Sequence, residues 1–126
     1  MDKHVDELTD ERLGAVTIHP SVLVTIARLS AVSVPRVCRM SGRAPGRILG
    51  AGTTGGGTRV VVEDHAVTVD LYVIVDSGAS MLEVGRAVQG GVTRAIQEMV
   101  GMPVREVNVH IDDVQFPCPP SSVQEP

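Results

Sequence analysis

The sequence predicts a single α+β domain in which two helices cover a small mixed β-sheet. Three observations carry that expectation. The chain has 126 residues, enough for one ordinary domain and too few for two. Its apolar fraction is 43%, yet Tyr72 and Phe116 are the only aromatic residues, so the core must be aliphatic and largely valine. Valine is stiff at χ1 and suits pleated sheet. Third, the apolar spacing changes along the chain in the order helix, hairpin, helix, strand, with room for a short strand in front.

Residues 1–13 carry Asp2, Asp6, Glu7, Asp10 and Glu11 without a periodic apolar face, and read as an acidic flexible tail before a domain over 14–116. Ala15–Ile18 alternates and offers the short N-terminal strand. Pro20 then suits the first turn of a helix running to about Ser33, with Leu23, Ile26, Ala27, Ser30 and Val34 on one face and Pro35 as its stop. Val37 and Met40 begin an extended stretch. Between positions 41 and 58 the composition shifts to Gly, Thr, Ala and Arg with Pro45, and predicts a long flexible loop.

Arg59–Glu63 and Val67–Val75 flank Asp64-His65-Ala66 at hairpin spacing. In the second run Val67, Val69, Leu71, Val73 and Val75 point to one face, and Thr68, Asp70, Tyr72 and Ile74 to the other. Ser80 with Glu83 three residues later is a capping box, opening a helix that Gly101 and Pro103 end. Leu82, Gly85, Val88, Val92, Ala95, Ile96 and Met99 form its predicted apolar face. Gly85, Gly90 and Gly91 each cost that helix about 1 kcal/mol relative to alanine, which close backbone packing is expected to offset. Val104–Asp113 alternates as a final strand, and the strand-helix-strand crossover should be right-handed and parallel. Residues 117–126 hold four prolines and read as a disordered tail.

Net charge is −4, which argues against a protein that coats nucleic acid by neutralising phosphates. The charge is uneven, however: positions 36–59 hold five arginines and no acid. The two cysteines, Cys38 and Cys118, form no CxxC pair, so neither a disulfide framework nor a zinc site is expected, and reductants and chelators should leave stability unchanged. No signal peptide and no membrane-spanning apolar run are visible. A cytoplasmic chain is expected, close to a membrane only through a partner.

Several spaced residues form a recognisable set: Gly14-x-Val16-x-Ile18, Val37-x-x-Met40-x-Gly42 and Val67-x-Val69-Asp70-Leu71-x-Val73-x-Val75. The second half adds Glu83-Val84, Val88-Gln89, Val92, Ile96, Met99, Gly101 and Val104-x-x-Val107-Asn108-Val109, closing on Phe116. Together they resemble the alkaline shock proteins of Gram-positive bacteria, also called envelope stress response proteins. The resemblance covers about residues 14–116. Arg36 stands where the family usually has Gly, and Val100 where it usually has Thr. The resemblance implies no catalysis, no cofactor, self-association into a homo-oligomer, and a role in the cell envelope, in some members through a small membrane-anchored protein partner.

Motifs that could carry other chemistry lack their context. Gly50-Ala51-Gly52-Thr53-Thr54-Gly55 matches a dinucleotide fingerprint but is followed by a strand rather than a helix. His4, His19, His65 and His110 occur without a second ligand at helical spacing, so no metal is expected. Asp112-Asp113 reads as a strand end, and Ser77 and Ser80 as turn and cap residues, not as catalytic groups. The expected working surface is therefore one of interaction: copies join through a sheet edge, the small-residue face of the second helix, or Tyr72 and Ile74 on the outer sheet face, with Arg36, Arg39, Arg43 and Arg47 as further contact candidates. The alternative reading is a nucleic-acid-binding module that uses the arginines of 36–59, disfavoured because stacking aromatics are scarce.

Overall fold

In the computed structural model of the chain, residues 7–10, 13–42, 52–116 and 118 are described, the first four by backbone alone. The elements run β1 (Glu7–Asp10), β2 (Gly14–Thr17), α1 (Pro20–Val32), β3 (Val37–Met40), β4 (Thr53–Gly55), β5 (Thr58–Glu63), β6 (Ala66–Asp76), α2 (Met81–Met99) and β7 (Val104–Gln115). Strand β6 organises the main five-stranded sheet. Along one edge it pairs in parallel with β7, from Val67↔Val104 to Asp76↔Gln115. Its other edge is shared: β5 is antiparallel to its first half, and β3 is antiparallel to its second, opposite Val73–Val75. Strand β4 extends the sheet beyond β5. This is the mixed sheet the sequence predicts, with α2 as the parallel crossover.

The two strands that share an edge meet at Tyr72. Its N–H donates to the Gly57 carbonyl at 2.9 Å, and its carbonyl accepts the Ser41 N–H at 2.8 Å. Gly57 has φ +77°, and a Cβ there would lie 2.7 Å from the Ser41 carbonyl oxygen and 3.1 Å from that of Tyr72. Only glycine fits, because both the backbone conformation and the space exclude a side chain.

The core lies between this sheet and the helices. Val67, Val69, Leu71, Val73 and Val75 are all fully buried, in one cluster with Leu23, Ala27 and Ala31 of α1 and Val84, Val88, Val92 and Ile96 of α2. Alternation in β6 meets helical spacing in α1 and α2, so each element presents one apolar side to the same space. Ser80 accepts the Glu83 N–H at 3.4 Å, as the capping box requires, and the turn after α2 uses Gly101 at φ +85°. Both helices sit on one face of the sheet, leaving the other free of helical cover.

Several expectations are revised. Within the acidic segment, Glu7–Asp10 runs antiparallel to Gly14–Thr17 as a separate two-stranded sheet, and β2 is exposed throughout. Within the expected loop, β4 and β5 form a hairpin turning on Gly56 and Gly57, while residues 43–51 lie outside the described part. The β5–β6 turn is shorter than the three residues read from the sequence. Glu63 pairs with Ala66, and Asp64 and His65 take φ of 52° and 65°, which is the handedness that follows strand twist in two-residue hairpins. The buried stripe of α2 is Val84, Val88, Val92 and Ile96, so Leu82 (67% exposed) and Met99 (68%) do not belong to it. A Cβ at Gly85, Gly90 or Gly91 would meet nothing within 4 Å, so close backbone packing does not explain these glycines.

Cys38 and Cys118 are joined by a disulfide across 80 positions of sequence. Closing a loop of that length lowers unfolded-chain entropy by an amount worth up to about 4 kcal/mol on the chain-entropy account. The expectation of no disulfide is thereby overturned, and with it the ground for expecting indifference to reductants. Cys118 also ties down part of the segment read as a free tail. Arg36, where the resembled family usually has Gly, adopts φ 81°. Its carbonyl accepts the Asp76 N–H at 2.9 Å, and its guanidinium lies 3.5 Å from the Asp76 carboxylate.

Three stability measurements check this account. Gly57→Ala should cost about 3 kcal/mol, through strain and lost room, whereas Gly90→Ala should gain about 1 kcal/mol. Equal effects in urea unfolding would contradict the packing described. Thr58 is fully buried and its hydroxyl has no partner among the described residues, so Thr58→Val should stabilise by about 1 kcal/mol, since an unpaired buried polar group is removed. Arg36→Gly should gain roughly 0.5–1 kcal/mol, because relief of the left-handed backbone outweighs a half-exposed ion pair. A loss in melting temperature would show that the ion pair matters more.

Candidate interaction face

The helix-free face of the sheet is built by the alternate positions of each strand. From β6 it takes Thr68, Asp70, Tyr72 and Ile74, and cross-strand register sets Arg59 of β5 on one side of Asp70 and Asn108 of β7 on the other. Arg59 Nη1 donates to Asp70 Oδ2 at 3.1 Å, and Asn108 Nδ2 donates to Oδ1 at 3.1 Å. His110 Nε2 lies 3.5 Å from the same Oδ1. The carboxylate thus ties three strands together through charge-assisted bonds. The His110 ring also stacks on Tyr72, with centroids 4.4 Å apart and planes inclined by 13°.

Tyr72 and Ile74 share this face, as the alternation predicts, but neither stands bare. Tyr72 is half-buried beneath His110. Ile74, flanked across the strands by Arg39 and Asp113, is only 7% exposed. Of the arginines, Arg39 is exposed beside Ile74, Arg36 faces Asp76 at the end of the sheet, and Arg43 and Arg47 lie outside the described residues. Arg59 is paired with Asp70. Glu63, Asp70, Glu106 and Asp113 outnumber Arg39 and Arg59 on this face, which does not make the basic footprint that phosphate recognition needs.

Other sequence candidates have local roles. Ser80 caps α2, the Ser77 N–H donates to the Gln115 carbonyl at 3.1 Å, and Asp113 Oδ1 accepts the Val114 N–H at 2.9 Å. Of the GxGxxG segment, Thr53–Gly55 is strand β4, so no helix N-terminus follows it to hold a pyrophosphate. Among the described residues no group of three His, Cys, Asp or Glu could hold a metal ion, and no helix is long and apolar enough to cross a membrane.

A second surface lies between α2 and the edge strand β7, two elements the sequence offers for association, but its concave shape was not legible there. Met81, Leu82, Gly85, Arg86 and Gln89 of α2 face Val109 and Ile111 of β7 across a groove of about 470 Å³. Gln89 Nε2 donates to the Val107 carbonyl at 3.1 Å, pinning the helix to the strand. Leu82 and Met81 were legible as apolar; that they overhang the edge of the sheet depends on how α2 is rotated over it.

Comparison with known proteins identifies a family and several relatives. Residues 8–116 match the model of the alkaline shock protein family, described as having a cell envelope-related function. The uncharacterized protein YqhY of Bacillus subtilis is 33% identical over 118 residues, covering 91% of this chain and 87% of its own length. The uncharacterized protein Spy1535 of Streptococcus pyogenes is 27% identical over 108 residues, covering 85% of this chain and 84% of its own. YloU of Bacillus subtilis, also uncharacterized, is 30% identical over 63 residues, about half of each chain. No solved structure matches. With the family pattern met along nearly the whole domain, and a relative similar over nine-tenths of the chain, this protein belongs to the alkaline shock protein family, whose function is cell envelope-related.

Proposed function

We propose that the domain is a non-catalytic assembly module that associates with further copies of itself, and that its place at the cell envelope comes through a small membrane-anchored partner protein. The observation that carries this reading is the groove between α2 and β7. Leu82 is two-thirds exposed beside half-exposed Met81, with Val109 and Ile111 forming the opposite wall. Apolar groups grouped around a concave surface mark places where another surface is excluded from water.

Main-chain pairing along β7 is less favoured than side-chain packing. Register shifts bracket Arg105 and Asp112, placing charged residues at two bulges, and Gln89 already occupies the Val107 carbonyl. Bulges, charges and side-chain cover are the devices that blunt an open edge. Association through the groove also explains why the helix-free face can be closed by its own Asp70 network. The acidic balance of that face favours protein partners over nucleic acid.

Light scattering from nanomolar to high micromolar concentration tests the proposal. The wild-type chain should exceed the monomer mass in the micromolar range, and a Met81→Glu, Leu82→Glu double substitution should return it to monomer with its fold intact. A monomeric mass throughout would sink the reading. Addition of RNA at physiological salt should change nothing, and a mass increase with RNA would favour the nucleic-acid alternative.

A further inference from the structure

The β1–β2 hairpin stands apart from the body of the domain. Its two strands pair with each other, from Glu7↔Thr17 to Asp10↔Gly14, and with no strand of the main sheet. A two-stranded ribbon on its own is marginal in water and needs one of its faces covered. Here every residue of β2 is exposed, with Val16 at 58% and the neighbouring Leu13 at 85%. This end of the chain is also acidic: positions 2–11 hold Asp2, Asp6, Glu7, Asp10 and Glu11 against the single cation Lys3.

The groove between α2 and β7 is complementary in both respects. Met81 and Leu82 supply exposed apolar surface, and Arg86 is the charged residue of the lining. That side chain is exposed and has no carboxylate partner among the described residues. Gly85 also lines the groove, with nothing within 4 Å of where a Cβ would stand, so the backbone of another chain can approach closely there. A glycine that costs the helix about 1 kcal/mol within one chain thereby gains a use between chains.

Charge decides which surfaces meet. Hairpin against hairpin would set carboxylates against carboxylates, and groove against groove would bring Arg86 towards a second Arg86. Like charges juxtaposed across a contact disfavour it. Hairpin in groove sets acid against arginine and apolar against apolar. With Leu13 and Val16 exposed, the hairpin does not fill the groove of its own chain. We infer that the groove between α2 and β7 receives the β1–β2 hairpin of a second copy, with Leu13 and Val16 packed against Met81 and Leu82 and the hairpin's carboxylates facing Arg86. Two different surfaces then form each contact, so copies add head to tail. The inference rests on the assembly reading above and names what fills its groove.

Full-length chains with one surface broken test it by complementation. Leu13→Lys, Val16→Lys changes exposed positions of the hairpin, and Met81→Glu, Leu82→Glu changes the groove, with circular dichroism checking that both variants keep the fold. In light scattering at micromolar concentration, each variant alone should be monomeric. An equimolar mixture should reach twice the monomer mass and stop there, because one intact hairpin meets one intact groove and the pair cannot extend. Arg86→Glu should weaken association severalfold. A monomeric wild-type chain would overturn the assembly reading and this inference together, and association of the groove variant by itself would overturn both the groove and its occupant. If the wild-type chain associates, the occupant alone is overturned by association of the hairpin variant by itself, by a mixture that stays monomeric, or by an unchanged affinity in Arg86→Glu.

Discussion

Strand β6 is hydrogen-bonded on both edges, one side of it is a row of fully buried Val and Leu, and three other strands take their register from it. Burying that row against α1 and α2 is the dominant favourable term, since apolar area removed from water is worth roughly 25 cal/mol per Å². A slip of one residue would turn the whole row outward. The paucity of aromatics is no handicap, because the buried Val and Leu of β6 form one apolar cluster with Leu23, Ala27 and Ala31 of α1 and Val84, Val88, Val92 and Ile96 of α2.

The opposite side of the same strand solves a different problem. With no helix above it, it could carry only polar or self-covered groups. Asp70 collects Arg59 and Asn108 from the flanking strands, His110 covers Tyr72, and Ile74 is buried between Arg39 and Asp113 of the neighbouring strands. An apparently open face is thus largely satisfied within the chain. Part of the apolar surface left over, Met81 and Leu82, sits at the margin of the sheet where α2 overhangs β7; Leu13, Val16, Met99 and Phe116 are exposed elsewhere.

What could be read from the sequence was local or strictly periodic. The β6 alternation, the Ser80–Glu83 capping box, Pro35 and Gly101 as stops, and the parallel crossover all follow from spacing within one element or between neighbours. What could not be read depended on distance in space. The rotation of α2 was ambiguous because its apolar residues cover more than one stripe, so Leu82 and Met99 looked as suitable as Val84. The Cys38–Cys118 pair is invisible to spacing rules because 80 positions separate its halves. Ile74 is buried although the alternation puts it on the helix-free face, where its cross-strand neighbours are Arg39 and Asp113. Arg36 stands where the family usually has Gly, and its positive φ gives that glycine its physical meaning.

The meeting of two strands at Tyr72 bears on how this architecture can vary. The chain leaves the edge of β6 at Ser41 and returns to the same edge at Gly57, both bonded to one residue. Whatever lies between must close on itself, and neither register depends on its length. Closure entropy grows only by about 0.6 kcal/mol for each doubling of such a segment. By that closure term alone, a longer connection between Ser41 and Gly57 would cost the two pairings at Tyr72 little.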